Sequence, residues 1–228
     1  MSPRLSTTRA LALIALTAFA LSGCDSIYYK TMKKFGWEKR DILVKKVQEA
    51  RGAQADAQKE FKTTLERFRE IVAFHGGSLE DKYNKLNDAL QRSEDRAKKV
   101  DDRIKAVREV SSDLFKEWQN ELGKYSDRGM RQESERQLRE TKARTETLIQ
   151  GMARAQKRVE PVLKPLRDRV LFLKHNLNAR AMGALSKELD GVTAEVDALV
   201  EDLQKSVAEA DAFLAEMEQA KKADTTER

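Results

Sequence analysis

Three sets of residues in this 228-residue chain have types suited to chemistry. The first is Cys24, the sole cysteine, in the run Leu21-Ser22-Gly23-Cys24. A thiol there can act as nucleophile, metal ligand or attachment point. The second is His75 and His175, the only two histidines. Two imidazoles with a carboxylate such as Glu80 have the donor set of a transition-metal site. The third is the adjacent acids Asp101-Asp102 and Glu201-Asp202, which general acid–base work would require to converge in one pocket.

The surroundings of Cys24 favour attachment. Met1 to Arg9 carries Arg4 and Arg9 and no acid, Ala10 to Leu21 is almost wholly apolar, and small residues follow. This is the basic start, short apolar stretch and small-residue cleavage site of an export signal, too short for a spanning helix. With Cys24 directly after Leu-Ser-Gly, it resembles the lipobox of bacterial lipoproteins. The resemblance implies cleavage before Cys24 and a covalent lipid, palmitate among its chains, on the thiol. Lipidation consumes the thiol and leaves no cysteine for catalysis or metal. Each buried methylene contributes ~0.8 kcal/mol, and stable anchoring needs more than one acyl chain.

Beyond Cys24 lies Ile27-Tyr28-Tyr29-Lys30-Thr31-Met32-Lys33-Lys34-Phe35-Gly36. On a helix Ile27, Tyr28, Met32 and Phe35 share a face flanked by Lys30, Lys33 and Lys34. Such a face suits an anionic membrane surface and equally suits packing on the base of a bundle; the residues alone leave both open.

Charged residues make up 36% of the chain, against roughly a quarter in ordinary domains, and aromatics only 6%. That is the composition of long amphipathic helices. The net charge of +6 does not point to nucleic acid, because of where it sits. Residues 127–180 carry 14 bases and 7 acids, and residues 181–228 carry 5 and 12. Opposite surpluses in consecutive segments suit neighbouring helices that attract each other. No nucleic-acid partner is expected.

Apolar residues repeat with 4-3 spacing, the rhythm of coiled-coil-like packing. Leu43, Val47, Ala50, Ala57, Phe61, Phe68 and Ile71 form the first run, with Gln54 and Thr64 in two of its positions. After His75-Gly76-Gly77, Ser78 opens a second helix whose seam runs from Leu79 and Tyr83 to Leu114 and Trp118. A reversal at 123–129 leads into a third seam, Leu138 to Leu177, that contains Pro161 and Pro165 and should kink near Glu160. A reversal within 176–183 precedes a last helix through Leu185, Leu189, Val192, Val196, Leu199, Leu203, Val207, Ala210, Phe213 and Met217. The second and third helices, about 48 residues each, would be roughly 72 Å long. Short connections make neighbours antiparallel.

The expected fold is therefore all-α: an elongated antiparallel bundle, its long central hairpin flanked by two shorter helices, with the 123–130 turn projecting beyond them. The expected organisation is a signal peptide over 1–23, a lipidated cysteine and juxtamembrane segment over 24–37, one bundle domain over 38–221, and a disordered tail over 222–228.

Hairpin symmetry brings position 175 opposite position 78, so His75, His175, Asn176 and Asn178 should gather at one end. A histidine in a last helical turn is also favourable simply because it faces the negative end of the dipole, and the asparagines can cap helices. Capping is the preferred reading over a metal or partner site, and no metal is expected. No Gly-x-Ser-x-Gly elbow is present, and Gly123-Lys124 lacks the rest of a phosphate loop. The acid pairs suit solvated faces. An enzyme is not expected.

Phe35-Gly36-Trp37-Glu38-Lys39-Arg40-Asp41-Ile42-Leu43-Val44, Tyr83-Asn84-Lys85-Leu86-Asn87 and Phe172-Leu173-Lys174-His175-Asn176-Leu177-Asn178-Ala179, together with the lipobox, resemble a proteobacterial lipoprotein family known as domain of unknown function twenty-nine fifty-nine. The resemblance implies an exported long-helical protein and supplies no catalytic residues. The expected function is that of an envelope lipoprotein facing the periplasm, on the inner or outer membrane. It would be a non-catalytic scaffold, spacer or partner-binding module, contacting membrane lipid through Cys24 and another envelope protein or a second copy. The alternatives are a ligand- or metal-binding stress sensor at the His75/His175 end and an amphipathic membrane remodeller using residues 28–35.

Overall fold

The computed structural model describes residues 39–74 and 76–226. By contact density the chain divides between Ile42 and Leu43 into two compact units, and the second unit holds the bundle. The expected lipidation site Cys24, the membrane-surface candidates Tyr28, Lys30, Lys33, Lys34 and Phe35, and His75 lie outside the described residues.

The described chain consists of α1 (Lys39–Val72), α2 (Leu79–Glu121), a single 3-10 turn (Leu122–Lys124), α3 (Arg128–Lys157), α4 (Val159–His175), α5 (Ala179–Ser186) and α6 (Leu189–Thr226). No strand occurs among the described residues. The fold is the expected all-α antiparallel bundle.

Side-chain bonds across helices fix the directions. Glu49, Asp56 and Glu60 of α1 pair with Arg103, Arg96 and Arg92 of α2 at 2.7, 3.3 and 2.8 Å. As one number rises by seven and then four, the other falls by the same steps. The helices are therefore antiparallel in a heptad register. Arg51 bonds Asp211 at 2.9 Å and Gln58 reaches Gln204 at 3.4 Å, so α1 is antiparallel to α6 as well. Arg144–Glu216 and Arg158–Asp202 pairs at 3.0 and 2.7 Å join α3 and the residue after it to α6, and an Arg169–Glu188 pair at 2.8 Å joins α4 to the residue just before α6.

These last three pairs connect the basic segment 127–180 to the acidic segment 181–228, which are neighbours as their charges suggested. Exposed pairs contribute only about 0–1 kcal/mol each, so their main consequence is register. The α1–α6 contact also refines the expected layout. The two shorter helices flank the hairpin and touch each other, closing four helical columns into a ring.

The core follows the 4-3 positions closely. Leu43, Val47, Ala50, Ala57, Phe61, Phe68 and Ile71 are buried, and so are the polar Gln54 and Thr64. Both polar groups are satisfied across helices: Gln54 exchanges two hydrogen bonds with Ser206 at 2.9 and 3.1 Å, and Thr64 shares one of 2.9 Å with Ser93. In α6 the expected seam residue Val207 is only half-buried, and Ser206 takes the core position. The 4-3 rhythm from Leu199 and Leu203 continues through Ser206 to Ala210, and a hydroxyl is stable there because Gln54 meets it.

The third column breaks at Arg158, two residues ahead of the expected kink at Glu160. A proline ring clashes with the carbonyl four residues earlier. For Pro161 that carbonyl belongs to Lys157, the last residue of α3. Val159, Val162, Leu166, Val170 and Leu173 stay buried beyond the break, so the seam crosses it without changing face.

The expected last helix is two. Asn178 caps a short α5 that buries Ala181, Met182 and Leu185, so Leu185 belongs to α5. Three-residue bonds, Lys187 N–H to the Ala184 carbonyl and Glu188 N–H to the Leu185 carbonyl, then tighten and end it. At the other end α6 runs to Thr226, into the 222–228 segment expected as a disordered tail, and a Glu218–Lys222 pair of 2.8 Å spans its start.

The α1–α2 connection depends on glycine. Gly76 and Gly77 have φ of 130° and 91°, a region unfavourable to residues with a Cβ. Gly77→Ala is expected to cost about 1–2 kcal/mol. Gly52→Ala, inside α1 with open space around the added Cβ, should instead gain about 0.5–1 kcal/mol. Urea unfolding of the two variants measures both signs.

Candidate functional site

The turns gather at two ends of the bundle. At one end, α1 finishes with the Ala73 N–H on the Arg69 carbonyl at 2.9 Å. Ser78 then starts α2 by accepting from the Asp81 N–H at 3.1 Å, while Glu80 and Asp81 occupy the first turn, favoured by the helix dipole. Lys82 Nζ donates to the Glu70 carbonyl at 3.3 Å and lies 5.5 Å above the Phe74 ring.

The α4–α5 turn lies at this same end. Asn176 Nδ2 donates to the Phe172 carbonyl at 3.0 Å, and the Asn176 N–H donates to the Leu173 carbonyl at 3.1 Å. Asn178 accepts from the Ala181 N–H at 3.1 Å. Both asparagines are thus used in satisfying helix ends. Lys174 and His175 are exposed on the last turn of α4, where the dipole favours cations. The pairing of His175 with His75 involves a residue outside the described set. Among the described residues no group of three or more His, Cys, Asp or Glu side chains is placed to hold a metal ion.

Asn178→Ala removes a helix N-cap and should cost about 1 kcal/mol. Thermal unfolding of Asn178→Ala and Asn176→Ala measures it; unchanged midpoints would return these residues to the candidates for partner binding.

The acid pairs do not converge. Asp101 pairs with Lys105 at 2.7 Å and Asp202 with Arg158 at 2.7 Å. A charge cluster between helices lies elsewhere: Arg167 of α4 bonds Glu94 of α2 and, at 2.6 Å, Glu160. Its bond to Arg167 holds the Glu160 carboxyl below its usual range. The Arg167–Glu94 bond joins α4 to α2, and Glu160 braces the same guanidinium from within α4. The sequence carried no signal for this cluster, because its members are 7 and 73 residues apart.

The opposite end holds the α2–α3 turn. Asp127 caps α3 by accepting from the Met130 N–H at 2.7 Å, and the Trp118 indole donates to Ser134 at 2.9 Å. Leu122 is buried at the base of the turn. Behind it, a groove of roughly 990 Å³ runs between α2 and α3, floored by Phe115, Leu138 and Ile149 and rimmed by Arg108, Lys116 and Lys142. No helix among the described residues is long and apolar enough to cross a membrane.

A family model described as "Protein of unknown function (DUF2959)" matches residues 28–217. No curated protein matches the chain, and no solved structure does.

Proposed function

The chain belongs to this family of unknown function, and from that premise we propose that it is a non-catalytic envelope lipoprotein. Acyl chains on Cys24 hold it to a membrane, and its bundle acts as a scaffold, spacer or partner-binding module. The observation that carries the reading is the arrangement of α1 and α2. Leu43, the first residue of the bundle unit, lies toward the end that holds the 122–127 turn, so the chain that follows Cys24 enters the unit from that side. The 43 residues of α2 extend roughly 65 Å to the end where Gly76-Gly77-Ser78 and Asn176-Asn178 lie. A tether at one end and turns at the other suit a protein that presents a surface away from the lipid.

Metabolic labelling with palmitate and fractionation of wild type and Cys24→Ser test the anchor. Wild type should carry label and stay with membranes, and Cys24→Ser should lose both; unlabelled wild type sinks the lipoprotein reading. Crosslinking mass spectrometry in intact envelopes tests the scaffold. Recurrent crosslinks from one partner, or from a second copy, are expected near residues 73–82 and 171–187. Their absence would remove the partner-binding role.

A further inference from the structure

We propose that the α2–α3 turn is a second membrane contact, resting its Tyr125 and Met130 side chains in the interfacial zone of an anionic lipid surface. Four large apolar side chains among the described residues are strongly exposed, and two of them, Tyr125 at 42% and Met130 at 65%, flank this one turn. Tyrosine has an apolar ring and a polar tip, the combination favoured at headgroup depth. From Leu122 to Gln132 the cations are Lys124, Arg128 and Arg131, against the single acid Asp127. Asp127 is the α3 cap, and Lys124 reaches the neighbouring Glu121 only at 3.8 Å.

The turn is also held in shape. Buried Leu122, the Asp127 cap and the Trp118–Ser134 hydrogen bond fix its base. The apolar side chains are therefore presented with little ordering cost on contact.

Position supplies the independent argument. The register of Glu49 with Arg103 sets Leu43, the first residue of the bundle unit, level with Glu109. From that level α2 continues 12 residues to Glu121, about 18 Å further, before the turn. Residues 25–38 between Cys24 and α1 number 14 and can span up to ~50 Å. That reach exceeds the projection of the turn, so one membrane can receive both. A second copy is a poorer occupant, since two such tips would bring six cations together.

The proposal rests on the lipoprotein reading for the side of the bundle that faces lipid. The test uses the full acylated protein on vesicles of phosphatidylcholine and phosphatidylglycerol. Acylation blocks Cys24, so Met130→Cys supplies the only free thiol for an environment-sensitive fluorophore. Leu171→Cys, on α4 well away from the turn and 56% exposed in the wild type, is the control.

Quenching by lipid-borne nitroxide should be severalfold stronger at position 130 than at 171. Each anionic-surface contact by a cation is equivalent to about fivefold in partitioning, so Lys124→Glu with Arg128→Glu should lower the inserted fraction by about tenfold or more. Equal, weak quenching at 130 and 171 in acylated protein overturns the proposal and leaves the anchor standing. Shielding at 130 that appears without vesicles and grows with protein concentration overturns it in favour of self-pairing. Intact mass reports acylation in the same sample. An unmodified Cys24 would remove the lipoprotein reading, and insertion of the label in Cys24→Ser with Met130→Cys would then keep the proposal.

Discussion

Phe61→Ala is expected to lower the stability of the bundle by about 3–5 kcal/mol. Phe61 is fully buried in a seam position of α1, with the small Ala57 four residues before it and the polar Thr64 three residues after. Leu65, one turn further along α1, is itself buried and already packed. The cost combines the transfer of the ring out of the core with the cavity that remains, because packed helices relax only partly. Its level also carries the bonds that join α1 to both neighbours: Gln58 donates to the Val200 carbonyl at 3.3 Å and Glu60 pairs with Arg92 at 2.8 Å. Phe61→Leu should recover more than half of the loss, since it restores most of the volume. Urea unfolding followed by circular dichroism measures both variants. A loss below about 1.5 kcal/mol for alanine would mean that the seam closes around the gap.

Gln54→Ala is expected to cost about 2–4 kcal/mol, and the reason is chemical as much as steric. Gln54 and Ser206 are both buried and exchange two hydrogen bonds between α1 and α6. Alanine leaves the Ser206 hydroxyl without its cross-helix partner, at about 1–3 kcal/mol, and opens a void beside it. Replacing both partners removes the imbalance. Gln54→Leu with Ser206→Ala should therefore fall within about 1 kcal/mol of wild type, or above it.

The comparison separates stability from specificity. Gln54–Ser206 joins the first and last long helices, the pair that closes the ring. In an apolar seam such a buried polar pair opposes a slip by one heptad, which would strand both groups. Crosslinking between positions 51 and 211, which the Arg51–Asp211 pair holds together at 2.9 Å, reads that register. The double variant should keep stability while gaining crosslinks one heptad away. Wild-type stability of Gln54→Ala would sink this account.

Much of the fold was legible because helical burial is a local, periodic property. Leu43 to Ile71 and Leu86 to Leu114 show their seam in the spacing of apolar residues, and Ser78 and Gly76-Gly77 mark where one helix stops and the next begins. The polar seam positions were harder. Gln54 and Thr64 show as gaps in a rhythm, yet nothing local says that Ser206 and Ser93 face them. The α6 seam was assigned to Val207 because valine is the better apolar residue, whereas the structure buries Ser206 in answer to Gln54. The break at Arg158 follows from Pro161 once its clash is counted back four residues. The division between α5 and α6 carries no comparable mark, since the 4-3 spacing of Leu185, Leu189 and Val192 runs straight across it.

By itself the sequence determined the family resemblance, the all-α class, most of the seam positions and the capping residues, because each depends on residues within a few turns of one another. It also supplied Cys24, the one position whose surroundings imply covalent attachment. Only the tertiary structure decided that α1 and α6 close a ring and that Arg167 joins Glu94 and Glu160. A heptad specifies that a face is buried but not which helix covers it; that choice is made by bonds between residues up to 160 positions apart, which no local period can encode.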